Sequence, residues 1–200
     1  MLKELKTNTR AVERFLGELT QDFDTGEVLE IRAIGDRNKI HTERFALHAF
    51  DDAIDFIVRK NQYHNIYVVV NPVPQDAPKA AKDVDINRAL FVFADADELG
   101  AADRARSCDL FSQSMEVVTG FVPHFRNHIY YRFSVPLTNM AVWSELQKQW
   151  ASYLGTDKSI HNPSRIMRVA GTVSYPSPSK IKRGYQVELT RLIIGGVYVE

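Results

Sequence analysis

Between Thr9 and Leu19 the apolar residues Val12, Phe15, Leu16 and Leu19 recur at helical spacing. The chain is therefore expected to open on an amphipathic helix capped by Thr7, Asn8 or Thr9. "EVLEIRAIG" then alternates with period two, putting Val28, Glu30 and Arg32 on one face of a strand and Leu29, Ile31 and Ala33 on the other. "IHTERFALHAF" predicts a second strand, paired with the first across residues 35–38. "DDAIDFIVRKN" predicts a helix whose acidic first turn suits the helix dipole. "NIYVVVNPVP" reads as a buried strand stopped at Asn71-Pro72. A polar, proline-bearing connector from Pro72 to Asp85 follows, which places a module boundary there: residues 1–84 form an N-terminal α/β module and residues 85–200 a second one.

In the second module "RALFVFADAD" is a strand, "ADRARSCDLFSQ" a helix, "MEVVTG" a strand ending at Gly120, and "HIYYRFSVP" another strand. "NMAVWSELQKQWASYL" is a helix with Val142, Leu146, Trp150 and Leu154 down one face. "RIMRVAGT" and "GYQVELTRLI" close the module as strands. Strand, helix, strand, strand, helix, strand over Ala89 to Leu192 is the split βαβ pattern of ferredoxin-like and RNA-recognition-like domains. The expected class is α+β.

Composition narrows the partners. The net charge is zero, which excludes a surface basic all round, but the charge is segregated. Val92 to Leu110 holds five acids against two bases, and Lys158 to Arg191 seven bases against one acid, Glu188. An acidic point and a basic segment suit metal ions together with an anionic substrate. Cys108 is the one cysteine, so no intrachain disulfide can form and a reducing, cytoplasmic setting is expected. The charged N-terminus has no apolar signal core, and no apolar run approaches membrane-spanning length.

The chemistry begins at "FVFADADELG". Asp95 and Asp97 project to the same side of a strand end, about 7 Å apart along it. Two carboxylates so placed can converge on Mg²⁺ or Mn²⁺, which prefer oxygen ligands. The same Asp-x-Asp also occurs in sugar-nucleotide transferases and as an ordinary acidic strand end. In "RNHIYYRF", His128, Tyr130 and Arg132 share a polar face, expected to meet solvent or ligand, and Arg126 lies two residues before the histidine. A histidine and an arginine can bind a triphosphate, the arginine through a planar fork of donors. Further on, Asp157 follows a helix end at Gly155. Arg165 and Arg168 flank an apolar pair, and Lys180, Lys182 and Arg183 lie in a loop rich in Ser and Pro.

Taken together, the Asp-x-Asp strand, the histidine after a Thr-Gly turn, and "NPSRIMRVAGTV" resemble the primase–polymerase family of the archaeal-eukaryotic primase superfamily, in its plasmid, phage and mobile-element branch. The resemblance runs from about Phe15 to Leu192. It implies an RNA-recognition-motif-like catalytic module packed on the N-terminal module, with the active site in the groove between them. It further implies that Asp95, Asp97 and Asp157 hold two divalent metals, Mg²⁺ or Mn²⁺. His128 and Arg168 would contact the incoming triphosphate, with Arg165, Arg126 and Lys180 as further phosphate contacts. The implied activity is that of a DNA primase or DNA polymerase, working on a single-stranded template and primer with nucleoside triphosphates. A helicase or helical priming domain is the expected partner, in cis or in trans. Tyr130 is a candidate steric gate at the sugar. The chain departs from the family pattern at Arg126, where a small residue is usual. It also departs at Ala170 (usually Pro), Ser174 (commonly Asn) and Asn162 (often an acid). A metal-dependent nuclease and a catalytically inert nucleic-acid-binding module are the competing readings.

Overall fold

The first helix, α1 (Thr9–Thr20), starts where the pattern predicts, and Asn8 is its cap: the Asn8 side chain accepts from the Ala11 amide at 3.1 Å. Val12, Phe15, Leu16 and Leu19 are fully buried along its inner face. Burial of each stabilises the fold by roughly 1.5–3 kcal/mol. This is a computed structural model, and it describes residues 5–35, 39–78, 80–108, 110 and 113–200. Among them no helix is long and apolar enough to cross a membrane.

Strand β1 (Glu27–Ile34) pairs antiparallel with β2 (Ile40–Ala46), β3 (Asn65–Val69) and the short β4 (Val73–Pro74). Helix α2 (Phe50–Lys60) connects β2 to β3. The far edge of this sheet is β8 (Ile166–Arg168), which comes from the second half of the chain and pairs with β3. β8 had been expected to close the second module; its inner residue Met167 instead joins the core of the first sheet beside Val68. The outer face of β1 carries a fully buried Glu30. Its carboxylate accepts from Arg32 at 2.6 Å, from Arg44 at 2.9 Å and from the Ala81 amide at 2.9 Å, tying three segments together.

The second sheet runs β12 (Val197–Val199), β11 (Arg191–Ile194), β6 (Met115–Gly120), β7 (Arg126–Leu137), β5 (Ala89–Ala96), all antiparallel neighbours. β5 and β6, joined through α3 (Ala101–Arg106), flank β7. The closing strand β11 lies beside β6, whereas in a ferredoxin-like sheet it would lie beside the first strand. α3 is shorter than the sequence suggested; the rest of that expected helix includes Asp109, Phe111 and Ser112, which lie outside the described residues.

The free edge of β5 is covered by α4 (Met140–Leu154), and this corrects the expected orientation of that helix. Val142 is 52 % and Leu146 36 % exposed, while Trp143 and Gln147 are fully buried. The reason is hydrogen bonding. The Trp143 indole donates to Phe91 O at 2.8 Å, and the Gln147 amide both accepts from Phe93 N at 3.1 Å and donates to Phe93 O at 2.6 Å. An edge strand must satisfy these groups, so the helix turns its amide toward the sheet and leaves two apolar residues outside. Trp150 and Leu154 pack inward on Tyr131 and Ile129, as expected.

The face shared by His128, Tyr130 and Arg132 is also corrected at Tyr130 and Arg132, while His128 does line a cavity. This face points between the two sheets. Tyr130 is fully buried, its ring edge-on to Phe15 and Phe91. It is a core residue and cannot gate a sugar. Arg132 reaches the end of α1, bonding Asp22 and the Glu18 carbonyl.

Candidate active site

Where β5 and β7 emerge from the core, the antiparallel register sets Asp95 directly opposite His128. A cavity of about 460 Å³ opens there. Its walls include Asp95, Arg126 and His128 from the second sheet with Asp97 just past the end of β5, Asn65, Tyr67 and Arg168 from the first with Arg165 just before β8, and Lys180 and Tyr185 from the connection between β9 (Val173–Ser174) and β10 (Glu188–Leu189).

Within the acidic pair Asp95 is strongly perturbed. Burial, with the charges of Asp97 and Asp157 nearby, pushes the Asp95 carboxyl up to about 7. Arg165 and Lys180 oppose this but do not cancel it. Asp97 is gripped on both sides. Lys180 Nζ donates to its Oδ2 at 2.9 Å, and Arg126 Nε stands 3.6 Å from its Oδ1.

His128 is buried, with Nε2 3.5 Å from Asp95 Oδ1 and Nδ1 without a hydrogen-bond partner among the described residues. Burial, then the positive charges of Arg168, Arg165 and Lys180, lower its pKa to about 3. Burial, with help from these cations, keeps it an uncharged imidazole at neutral pH, and the same cations favour an anionic ligand.

Arg168, on β8, is held by neutral groups: Nη1 donates to Asn65 Oδ1 at 2.7 Å and Nη2 to Tyr67 Oη at 2.9 Å, with the guanidinium 4.8 Å from the Tyr67 ring centre. Among the described residues no carboxylate forms an ion pair with it, so its charge is left for something that enters the cavity. Arg165 is partly balanced by Asp157, at 3.9 Å, and its Nε is buried without a partner among the described residues.

Arg126 is different. Its Nη1 donates to the Val122 and His124 carbonyls at 2.7 and 2.9 Å and its Nη2 to Glu188 at 3.0 Å, while the guanidinium stacks 4.3 Å from the Tyr185 ring centre. Its donors are committed to the protein. Gly120 makes this possible, because a side chain there would run into the Arg126 guanidinium and the Glu188 carboxylate.

Asp157 is placed by Gly155, which ends α4 at φ 64° and turns the chain so that the Asp157 amide donates to Asp95 O at 3.1 Å. Its carboxylate faces its own turn, accepting from Ser159 N at 2.8 Å and Ser159 Oγ at 2.9 Å. Among the described residues no three of His, Cys, Asp and Glu meet as a set that could enclose a metal. The assembled donors are Asp95 and Asp97. An all-oxygen pair, in which burial and the neighbouring Asp97 charge push Asp95 up, fits a hard divalent cation, which keeps water or substrate oxygens in its remaining positions.

Sequence reasoning missed Tyr185 and Glu188. Tyr185 is almost buried, with Arg126, Lys180 and Arg183 at 4.3, 5.0 and 5.0 Å from its ring centre. Glu188, the one acid of the basic segment, was the available signal for an arginine partner.

No protein-family model matches the chain, and no curated protein does. Solved structures do match. The AEP domain of the cyanophage S-2L primase-polymerase aligns with a TM-score of 0.64 at 24% identity over 96% of this chain and 93% of that one. The catalytic domain of primase RepB' in complex with initiator DNA aligns with a TM-score of 0.56 at 12% identity over 90% and 82%. A further structure of primase RepB' gives 0.56 and 12% over 82% and 51%. The chain thus has the fold shared by primase and primase-polymerase catalytic domains, as the sequence resemblance led us to expect.

Proposed function

We propose that the protein is a catalytic domain of the archaeal-eukaryotic primase superfamily that carries out template-directed nucleotidyl transfer, as a DNA primase, a DNA polymerase or both. The observation that carries this reading is the cavity itself: an acidic pair beside a neutral histidine and an arginine that, among the described residues, has no carboxylate partner, within a primase-type fold. The initiator DNA in the RepB' complex supports DNA binding, and we take a single-stranded DNA template and primer as the other substrates. A helicase or helical priming domain remains the partner we would look for.

Each residue then has a task. Asp95 and Asp97 would hold the catalytic Mg²⁺ or Mn²⁺, and Asp157 would serve as third carboxylate if it gave up its bonds to Ser159. When bound, the divalent ions lower the pKa of the attacking 3′-hydroxyl and offset the charge of the leaving pyrophosphate. Arg168 offers its planar fork to phosphate oxygens, and Arg165 adds charge beside it. His128, kept neutral, donates or accepts at a single ring nitrogen. Arg126 acts as a positioning residue: fixed by two carbonyls and Glu188, it orients Asp97. A triphosphate held by these groups would be pre-oriented for attack by a primer end, and pre-orientation lowers the barrier.

The test is incorporation of labelled nucleotides on a homopolymer single-stranded DNA template with Mg²⁺ or Mn²⁺, with and without a primer. Asp95→Ala should abolish incorporation while the protein remains folded by circular dichroism. Extension at the wild-type rate by folded Asp95→Ala would sink the assignment. Degradation of labelled DNA without added nucleotides would favour a nuclease instead.

A further inference from the structure

The two cations on Asp97 are built differently, and the difference suggests a use. Arg126 is 5 % exposed and anchored to two carbonyls and Glu188, so moving it would break three hydrogen bonds to half-buried groups. Lys180 is 38 % exposed and sits on α5 (Pro178–Lys182), a single short helix with no buried residue. Among the described residues, its ammonium has one hydrogen bond, to Asp97 Oδ2. Its other contact is the Tyr185 ring face, a cation–π rest that constrains direction weakly. The stem is flexible, and the charge is a point charge with donors only. Lys180 also lines the cavity that holds His128, Arg165 and Arg168.

An ammonium on Asp97 Oδ2 and a divalent cation on the same oxygen compete, because both are positive and crowd the same lone pairs. We propose that Lys180 is an exchangeable internal counter-ion. In the empty site it neutralises Asp97; when a divalent cation takes that carboxylate, Lys180 swings across the cavity onto the phosphate oxygens of the nucleotide. Tyr185 is the pivot that keeps the ammonium nearby in both positions. One residue thereby couples metal entry to nucleotide entry, since each ligand removes the competitor of the other. This inference rests on the metal-and-nucleotide reading above, and the experiment separates the two.

Mn²⁺ binding is measured by calorimetry and by electron paramagnetic resonance on the whole protein, without nucleotide and then with a non-hydrolysable nucleoside triphosphate analogue. Thermal melting checks that each variant is folded. Removing a half-exposed ion pair should tighten Mn²⁺ binding in Lys180→Met by about three- to fivefold without nucleotide. The same variant should bind the analogue more weakly and show a smaller rise in Mn²⁺ affinity when the analogue is added. Lys180→Arg, which keeps the charge, should stay close to wild type. Mn²⁺ binding that is unchanged or weaker in Lys180→Met overturns the counter-ion role alone. Mn²⁺ binding that survives in Asp97→Asn, or is missing in the wild type with the analogue present, overturns the metal reading and the counter-ion role with it.

Discussion

Replacing Asp95 by asparagine should make the metal-free protein more stable, by an amount that depends on pH. The folded pKa of Asp95 is about 7 against an ordinary 3.8. The folded state therefore holds on to a proton that the unfolded chain releases. For this group stability is fully present below about pH 4, falls as pH rises toward 7, and is level above that. A difference of about three pKa units corresponds to roughly 4 kcal/mol at 1.36 kcal/mol per unit. The side chain is 23 % exposed, so solvent screens part of this. A gain of about 2–3 kcal/mol at pH 8 is the expected size after that discount. Asparagine keeps the shape and cannot ionise. The assay is urea unfolding in chelator at a series of pH values, read as Asp95→Asn minus wild type, so that titration elsewhere cancels. The difference should be near zero at pH 4 and reach its plateau between pH 7 and 8. Added Mn²⁺ should stabilise the wild type more than the variant and narrow the gap. A variant no more stable than wild type at pH 8, or a gap that does not change between pH 5 and pH 8, refutes the claim that like charge and burial are stored at this carboxylate.

Other substitutions test the scaffold and the phosphate side. Gln147→Leu leaves Phe93 N–H and C=O unpaired in the interior and should cost about 2–6 kcal/mol in urea unfolding, at 1–3 kcal/mol for each buried group. Val142→Ala on the outer face should stay within about 0.5 kcal/mol, and the reverse ranking would contradict the observed orientation of α4. Glu30→Gln removes the charge that Arg32 and Arg44 share and should destabilise by about 3–5 kcal/mol, seen as a lower melting temperature. Arg168→Ala should weaken binding of a triphosphate analogue by about tenfold in calorimetry, the size of one charge-assisted contact, with Mn²⁺ affinity unchanged. Equal nucleotide affinity would mark Arg168 as a packing residue for Tyr67.

Much of this was legible along the chain because it is local. Apolar spacing alone specifies α1 and the alternation of β1, since a helix stripe and a strand face depend only on neighbours three, four or two residues away. The acidic pair, His128, Arg168 and Lys180 could be singled out because their residue types carry their chemistry. The orientation of α4 could not be read this way. Val142 and Leu146 form as good an apolar stripe as Trp143 and Gln147 form a poor one. The choice was made by the unpaired edge of β5, a partner distant in sequence. Tyr130 looked like a polar-face residue beside His128. It is core because α1 and the first sheet close over that face, burying a ring whose size outweighs its hydroxyl.

The sequence by itself determined most element types (the turn of helix at Pro178–Lys182 was read as a loop), the α+β class and the list of groups able to bind metal and phosphate, because propensity, periodicity and side-chain chemistry are properties of short stretches. Only the tertiary structure decided which of those groups meet. It drew β8 into the first sheet and so carried Arg168 to the cavity wall. It set Asp95 across from His128 through strand register, committed Arg126 to Glu188 and Tyr185, and turned Asp157 toward Ser159. Those outcomes depend on pairing between segments far apart in the chain, where burial and hydrogen-bond satisfaction over the whole molecule select among partners that look alike in one dimension.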